Sequence, residues 1–271
     1  MFNCYQKIFL HSLLVLTLLF QGSCSRRNIK EKPDVRTSFN RAMELFEDED
    51  YLDAVDAFRA ILLSFPGSTL LDSVQFYLAE SHFMMREYIL AASEYEKLTT
   101  TMPQSPLVEQ AMYKLGFCYF ELSPKYALDQ DYTYQAIEKY QYFLEDYPHS
   151  DLKGEVEGKL FECRKKLARK SYKNGELYFR MGYYRSAIIY FDEVLESYYD
   201  TDYAPRAQFL KADSYLKLKE YEAARKEFET FLAKYEDNSR VALAQEKLRL
   251  VDSRLIELEG KGSKGNGNSS N

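Results

Sequence analysis

Residues that could do chemistry are few in this chain and are not grouped as catalytic sites require. The sequence has three His and four Cys, and its clearest carboxylate clusters are Glu47–Asp50 and Asp129–Asp131. Acidic residues in turns commonly cap helices or face solvent, and no Ser, Cys or Thr has a general base at a recognisable spacing. We therefore expect no catalytic residues, no metal site and no cofactor, and a binding protein rather than an enzyme.

The cysteine with the most specific context is Cys24. An apolar run at residues 8–20 precedes it and is shorter than the roughly 20 residues of a membrane-spanning helix. The tetrapeptide that ends at Cys24 (Gln-Gly-Ser-Cys) resembles a bacterial lipobox, although its first residue is usually Leu. Residues 1–23 are thus predicted as a lipoprotein signal peptide and 24–33 as a lipidated tether; an ordinary secretory signal or a transmembrane anchor are the alternatives.

Three further residues with reactive side chains have structural interpretations. Cys118 and Cys163 each lie among apolar residues in a helical pattern. We predict two buried thiols, with a disulfide between them as the alternative in an oxidising compartment. His82 falls at a core position of the repeat described next and is predicted to be packed there.

A short motif recurs along the chain and determines the fold. An Ala is followed four residues later by Phe or Tyr, and in four of five copies it is preceded three residues earlier by Tyr. The five Ala residues are Ala54, Ala91, Ala136, Ala187 and Ala224. A small residue stands twelve positions before four of them, and Pro stands twelve positions after the first three. This pattern resembles the tetratricopeptide repeat, a helix–turn–helix of 34 residues.

The repeat predicts an all-α fold: a right-handed superhelix of about five tetratricopeptide-type helical hairpins with a C-terminal capping helix. Each hairpin has an apolar face that only a neighbouring hairpin can cover. Residues 34–149 would hold repeats one to three, with an insert near 123–131. Residues 150–258 would hold a long helix (or two in line), repeats four and five and the capping helix. Residues 259–271, rich in Gly, Ser, Asn and Lys, are predicted to be a disordered tail.

Inward positions of the first helix in each hairpin are the candidate binding residues, because these helices line the concave groove of tetratricopeptide proteins. The candidates for a groove that binds client segments are Phe39, Met43, Phe46, Phe76, Phe83, Tyr113, Phe117 and Phe120. The candidates for docking a partner in repeats four and five are Tyr172, Phe179, Arg206 and Phe209. A concave row of aromatic rings suits an extended apolar peptide; burial of the rings against each other is the alternative.

The combination of lipobox, tether, five hairpins, insert and long helix resembles the BamD family of lipoproteins over about residues 34–258. Residues 59–68 and 143–150 look like the Tyr-Pro-x-Ser helix ends of that family. The resemblance implies a protein that helps assemble β-barrel proteins into the outer membrane. It would be anchored in outer-membrane lipid through acylated Cys24, on the periplasmic face.

The same resemblance implies two polypeptide partners. The C-terminal repeats would dock the periplasmic POTRA domains of the barrel-forming subunit, and the N-terminal repeats would recognise the C-terminal segments of unfolded outer-membrane proteins. The family's charged POTRA contact is not carried over, because Tyr190 stands near that place. A net charge of −6 argues against nucleic-acid binding. A periplasmic tetratricopeptide adaptor for cell-wall or envelope maintenance is the alternative function.

Overall fold

The computed structural model describes residues 34–265, with side chains for residues 34–260. This part of the chain contains eleven helices and no strand. In chain order they are α1 (Val35–Glu47), α2 (Tyr51–Ser64), α3 (Leu71–Met84), α4 (Tyr88–Thr101), α5 (Val108–Leu122), α6 (Asp131–Asp146), α7 (Lys153–Arg180), α8 (Tyr184–Ser197), α9 (Ala204–Lys217), α10 (Tyr221–Lys234) and α11 (Val241–Gly265). The predicted signal peptide and tether, including Cys24, lie outside the described residues.

Successive helices pair into five hairpins, and α11 packs on α10 as a cap. The fold is the predicted superhelix of tetratricopeptide-type hairpins. The recurrent Ala of each second helix is fully buried, as are the aromatic residues four positions later, such as Phe58 and Phe228. Burial of apolar surface between neighbouring hairpins is thus repeated along the chain, which is how such arrays are stabilised.

The turn inside a hairpin has the same backbone geometry in four of the five repeats. A residue with positive φ stands two positions before the Tyr that begins the second helix: Glu49 (62°), Arg86 (61°), Gly182 (82°) and Lys219 (61°). The next backbone N–H donates to a carbonyl five residues earlier, as in the bond from Asp50 to Leu45 of 2.8 Å. This is a Schellman ending, which satisfies free carbonyls of the first helix and reverses the chain.

Close helix contacts depend on two glycines at the small-residue position. A Cβ atom added to Gly116 would lie 2.6 Å from the ring of Tyr140, and one added to Gly175 would lie 2.6 Å from the ring of Phe191. Tyr140 and Phe191 are both fully buried. The first and second helices of repeats three and four therefore approach each other at a distance that excludes a methyl group.

Helix α7 is a single helix of 28 residues that belongs to two repeats. Its N-terminal half contributes Val156 and Cys163 to the core of repeat three, and its C-terminal half contributes Tyr172 to the core of repeat four. Of the two alternatives that the sequence left open, one continuous helix is the observed one. Side chains from both halves consequently have fixed positions relative to repeat three.

The C-terminal end differs from the prediction. Residues 259–265, predicted to belong to a disordered tail, continue α11 to Gly265. Extending an existing helix adds a backbone hydrogen bond for each residue fixed, so residues of low helix propensity can continue it although they could not start one. Residues 266–271 lie outside the described part of the chain. None of the helices at residues 34–265 is both long and apolar enough to cross a membrane.

Candidate peptide-binding groove

Four predicted groove residues form one continuous group of rings between α3 and α5. The ring centroids of Phe83 and Phe117 are 5.7 Å apart, and the Phe117 centroid is 6.1 Å from those of Tyr113 and Phe120. All four rings are partly exposed. We call Phe83, Tyr113, Phe117 and Phe120 the aromatic row. Partly exposed rings at these distances leave faces and edges on which a further aromatic side chain could pack.

Two lysines lie over the aromatic row. The Lys114 ammonium is 4.1 Å from the ring centroid of Phe83, and the Lys159 ammonium is 4.3 Å from that of Phe120. Lys114 is also paired with Glu80 at 3.1 Å, whereas Lys159 has no carboxylate partner at residues 34–260. Both contacts are in the range of cation–π attraction. The row is therefore flanked by one neutralised ammonium and by one, Lys159, that can still pair with an anion.

The position of Tyr113 is fixed by a bond to α7. Its hydroxyl donates to the Glu155 carboxylate at 2.5 Å. Burial, together with this hydrogen bond and the nearby negative charge, raises the pKa of Tyr113 above its ordinary value. The phenol therefore stays protonated at physiological pH and holds its ring next to Phe117.

In repeat one the candidate residues mainly form the junction with repeat two. Phe39, Met43 and Phe46 are half-buried and pack on the core of their hairpin. Tyr77 of α3 meets both Phe rings, with centroid distances of 6.2 Å to Phe39 and 5.4 Å to Phe46. Tyr77 was not among the predicted residues, because it follows Phe76 directly and so faces the preceding hairpin. These residues border the groove and pack on the core of repeat one.

Three predicted binding residues are core residues instead. Phe76, Tyr172 and Phe209 expose only 4%, 3% and 4% of their surface. Phe76 packs against Tyr95, and Phe209 lies 5.9 Å from Phe228 between ring centroids. Phe76 and Phe209 stand in the first half of α3 and α9, and Tyr172 stands in the second half of α7; all three belong to buried core clusters. The prediction that these three line an exposed groove is wrong, and the alternative of mutual burial holds for them.

The other docking candidates remain accessible. The Phe179 ring is partly exposed and lies 5.4 Å from that of Tyr184, while the exposed Arg206 guanidinium lies 5.5 Å from the ring centroid of Tyr203. Arg240, which sequence reasoning missed, lies 5.3 Å from the Phe209 centroid. Neither arginine forms an ion pair at residues 34–260, although Asp202 and Arg206 line the same cleft. At these positions the C-terminal half presents guanidinium groups together with one partly exposed ring, that of Phe179.

The three residues with reactive side chains, Cys118, Cys163 and His82, are buried. Cys118 and Cys163 are free and buried, and burial raises the pKa of these thiols to about 12 and about 11. Protonated thiols of this kind are poor nucleophiles. His82 is buried between the Arg59 guanidinium, 3.2 Å from its Nε2, and the Glu87 carboxylate, 2.6 Å from its Nδ1. Because Arg59 can only donate, Nε2 accepts and Nδ1–H donates to Glu87.

Comparison with known proteins gives the family. Residues 32–231 match the model of the YfiO family, described as outer membrane lipoprotein. The chain belongs to this family. The resemblance to BamD inferred from the sequence is thereby confirmed, and proteins named outer membrane protein assembly factor BamD are among its relatives. The one from Caulobacter vibrioides is 24% identical over 188 residues, which cover 69% of this chain and 62% of that protein.

Two further BamD proteins match more of their own length. The Rickettsia prowazekii protein is 22% identical over 218 residues, covering 80% of this chain and 87% of its own. The Vibrio cholerae protein is 20% identical over 219 residues, covering 77% and 90%. Among solved structures, the TPR2AB domain of yeast Sti1 is 14% identical with a TM-score of 0.39, covering 86% of this chain and 95% of that one.

Proposed function

We propose that this chain is an outer-membrane lipoprotein scaffold that helps assemble β-barrel proteins, without catalysing a reaction itself. In this proposal Cys24 carries the lipid and the repeats face the periplasm. Membership in the YfiO family and the names of the BamD relatives support the assembly role. The helical-repeat fold supports a protein that works by binding, since such arrays offer extended concave surfaces.

The aromatic row is the proposed site for the C-terminal segments of unfolded barrel proteins. An aromatic side chain of the client would pack on Phe83 and Phe117, and its terminal carboxylate would pair with Lys159. The observation that carries the proposal is the contiguity of these partly exposed rings with an ammonium that lacks a carboxylate partner at residues 34–260. Aromatic pairs contribute about 0.5–1.5 kcal/mol beyond area burial.

The C-terminal half is the proposed docking region for the POTRA domains of the barrel-forming subunit. Phe179 and Arg206 remain the candidates there, and Arg240 joins them. Arginine and aromatic side chains are enriched at protein interfaces, and these guanidinium groups lack internal carboxylate partners at residues 34–260. Tyr172 and Phe209 would support this region from the core.

Peptide binding tests the client site. A labelled peptide ending in Phe with a free carboxylate is compared with the amidated peptide and with one ending in Ser. We expect Phe117→Ser to weaken binding by about tenfold, which corresponds to about 1.4 kcal/mol. Amidation should weaken binding to the unmodified protein but have little further effect on Lys159→Glu. Phe161→Ser is the matched control, because Phe161 is an exposed ring of α7 outside the row.

Two results would contradict this assignment. One is equal loss of binding in Phe117→Ser and in the Phe161→Ser control while both remain folded by circular dichroism. The other is equal affinity for the free and amidated peptides. The assembly role itself is tested by purifying the lipidated protein from membranes in mild detergent. Recovery of a POTRA-bearing barrel protein supports the role, and recovery of cell-wall enzymes in its place supports the adaptor function.

A further inference from the structure

Helix α7 has a charge surplus opposite to that of the whole chain. It contains nine Lys or Arg and four Glu, a surplus of five positive charges in a protein of net charge −6. Some cations are neutralised: Arg164 pairs with Asp200 at 2.7 Å and Lys165 with Asp202 at 2.6 Å. Lys166, Arg169 and Lys170 have no carboxylate partner at residues 34–260, and these three contact the insert between α5 and α6.

The insert is held against α7 by hydrogen bonds that use no carboxylate. The Lys166 ammonium donates to the Ser123 hydroxyl at 2.7 Å, and the Lys170 ammonium donates to the Leu128 carbonyl at 2.7 Å. The Arg169 guanidinium lies 4.1 Å from the ring centroid of Tyr126. Gln130 is buried, and its side-chain NH2 group lies within 3.1 Å of three carbonyl oxygens of the insert, to which its two N–H bonds can donate. The positive charges of this region are therefore fixed in place and remain unneutralised.

A cleft of about 560 Å³ opens between the insert and α7. Its walls are four cations, two tyrosines and one carboxylate, that of Glu162. The cations and tyrosines are Lys125, Tyr126, Lys165, Lys166, Arg169 and Tyr203. We call this the insert cleft. Three of its four cations lack a carboxylate partner at residues 34–260, so the cleft has a positive potential that an anionic group would neutralise.

A second basic cleft lies next to the insert cleft. Tyr203 lines the first, and its neighbour Asp202 lines the second, of about 400 Å³, with Arg206 and Arg240. The ion pair between Lys165 and Asp202 joins the two. An occupant that used both clefts would be elongated and would present separate negative charges. The tyrosine walls and the carboxylates of Glu162 and Asp202 favour individual side chains over a uniform anionic surface such as a membrane.

We propose that the insert cleft docks an extended acidic segment of a protein partner, with Glu or Asp side chains pairing with Lys125 and Arg169. Lys166 contributes positive charge from the wall while it holds the insert. Charge complementarity of this kind increases association rates and gives specificity, and it weakens as salt screens it. The cleft borders the aromatic row, because the Lys166 ammonium lies 5.9 Å from the Phe120 ring centroid. Lys125 and Arg169 are outside the row, so failure of this proposal would leave the proposed client site standing.

Binding of defined peptides tests the proposal. The probe is a short labelled peptide that alternates Glu and Tyr, and its counterpart has Gln in place of Glu. The double variant Lys125→Glu/Arg169→Glu reverses two exposed cations of the cleft. The control Lys226→Glu/Lys234→Glu reverses two exposed cations of α10 that also lack carboxylate partners at residues 34–260.

We expect the unmodified full-length protein to prefer the Glu peptide and to lose affinity for it as salt is raised. The cleft variant should bind it at least about tenfold more weakly, with less than about twofold change in the control. Equal losses in both variants, or equal affinity for the Glu and Gln peptides, would overturn the proposal. So would binding to phosphatidylglycerol vesicles that the cleft variant alone loses, with peptide binding unchanged. Circular dichroism establishes that each variant is folded.

Discussion

A single methyl group added at Gly175 is expected to destabilise the fold, although the same change usually stabilises a helix. The new Cβ would lie 2.6 Å from Phe191 Cε1 and 2.9 Å from its Cδ1. Phe191 is fully buried and cannot withdraw into solvent. Overpacking of this kind costs about 1–3 kcal/mol, and the better helix propensity of Ala offsets about 1 kcal/mol of it. We therefore expect a net loss of up to about 2 kcal/mol.

Gly158 on the same helix provides the matched control. It is exposed, and nothing lies within 4 Å of a Cβ built there. Gly158→Ala should therefore stabilise the protein by about 0.5–1 kcal/mol. The two variants are compared by urea unfolding followed by far-ultraviolet circular dichroism. The reasoning is refuted if Gly175→Ala unfolds at the same urea concentration as Gly158→Ala or at a higher one.

A second substitution separates crowding from other causes. Phe191→Leu removes the ring that the new methyl group would meet, so the added cost of Gly175→Ala should be smaller in that background than in the unmodified protein. The difference between the two costs is the coupling between the sites, which for residues in contact is about 0.5–3 kcal/mol. An unchanged cost would show that the methyl group does not act through Phe191.

Three other predictions concern stability. The Tyr140 hydroxyl is buried without a hydrogen-bond partner at residues 34–260, so Tyr140→Phe should leave the urea midpoint unchanged or raise it. The Tyr95 hydroxyl, by contrast, donates to the Glu80 carboxylate. Tyr95→Phe loses that hydrogen bond and should lower the free energy of unfolding by about 1–2 kcal/mol. Lys219 has a φ of 61°, so Lys219→Gly should raise the melting temperature through a gain of about 1 kcal/mol. Burial raises the pKa of the Cys118 and Cys163 thiols to about 12 and about 11. As the pH rises, the thiols of the unfolded chain release their protons first, because their pKa is lower. The stability that the two buried thiols contribute is therefore complete below about pH 9 and is lost as the pH rises through their folded-state pKa values. Unfolding free energies measured against pH for the unmodified protein and Cys→Ala variants test this.

The fold could be predicted because each repeat specifies its own contacts. Ala54 and its counterparts occur at fixed distances from a small residue and from an aromatic residue, and these contacts are local within a hairpin. The boundary at Gly265 could not be predicted from composition, because the end of α11 depends on continuing a helix that is already formed. The continuity of α7 was likewise open, since neither Gly158 nor Gly175 breaks a helix by itself.

The candidate binding residues were harder to predict than the fold. Helical register identified the aromatic row, because inward positions follow from the repeat. Register does not distinguish Phe83 from Phe76, however, since exposure depends on how closely the next hairpin approaches. Lys159 gave no sequence signal: it belongs to the first half of α7, which precedes the recognisable part of repeat four. Lys159 lies over Phe120 because α7 is one continuous helix whose first half packs on repeat three.

Internal ion pairs determine where this acidic protein presents unpaired cations. Glu80 pairs with Lys114, and Asp213 with Lys247, each 34 residues apart, which is one repeat. Both carboxylates lie at inner positions, and each forms an ion pair that joins neighbouring repeats. The cations of α7 that face the insert are instead held by carbonyls, a hydroxyl and a tyrosine ring. Bonds to neutral groups leave the positive charge of these side chains uncompensated. The sign of the potential at the proposed insert cleft therefore depends on which charges are paired internally, and the net charge of −6 does not determine it.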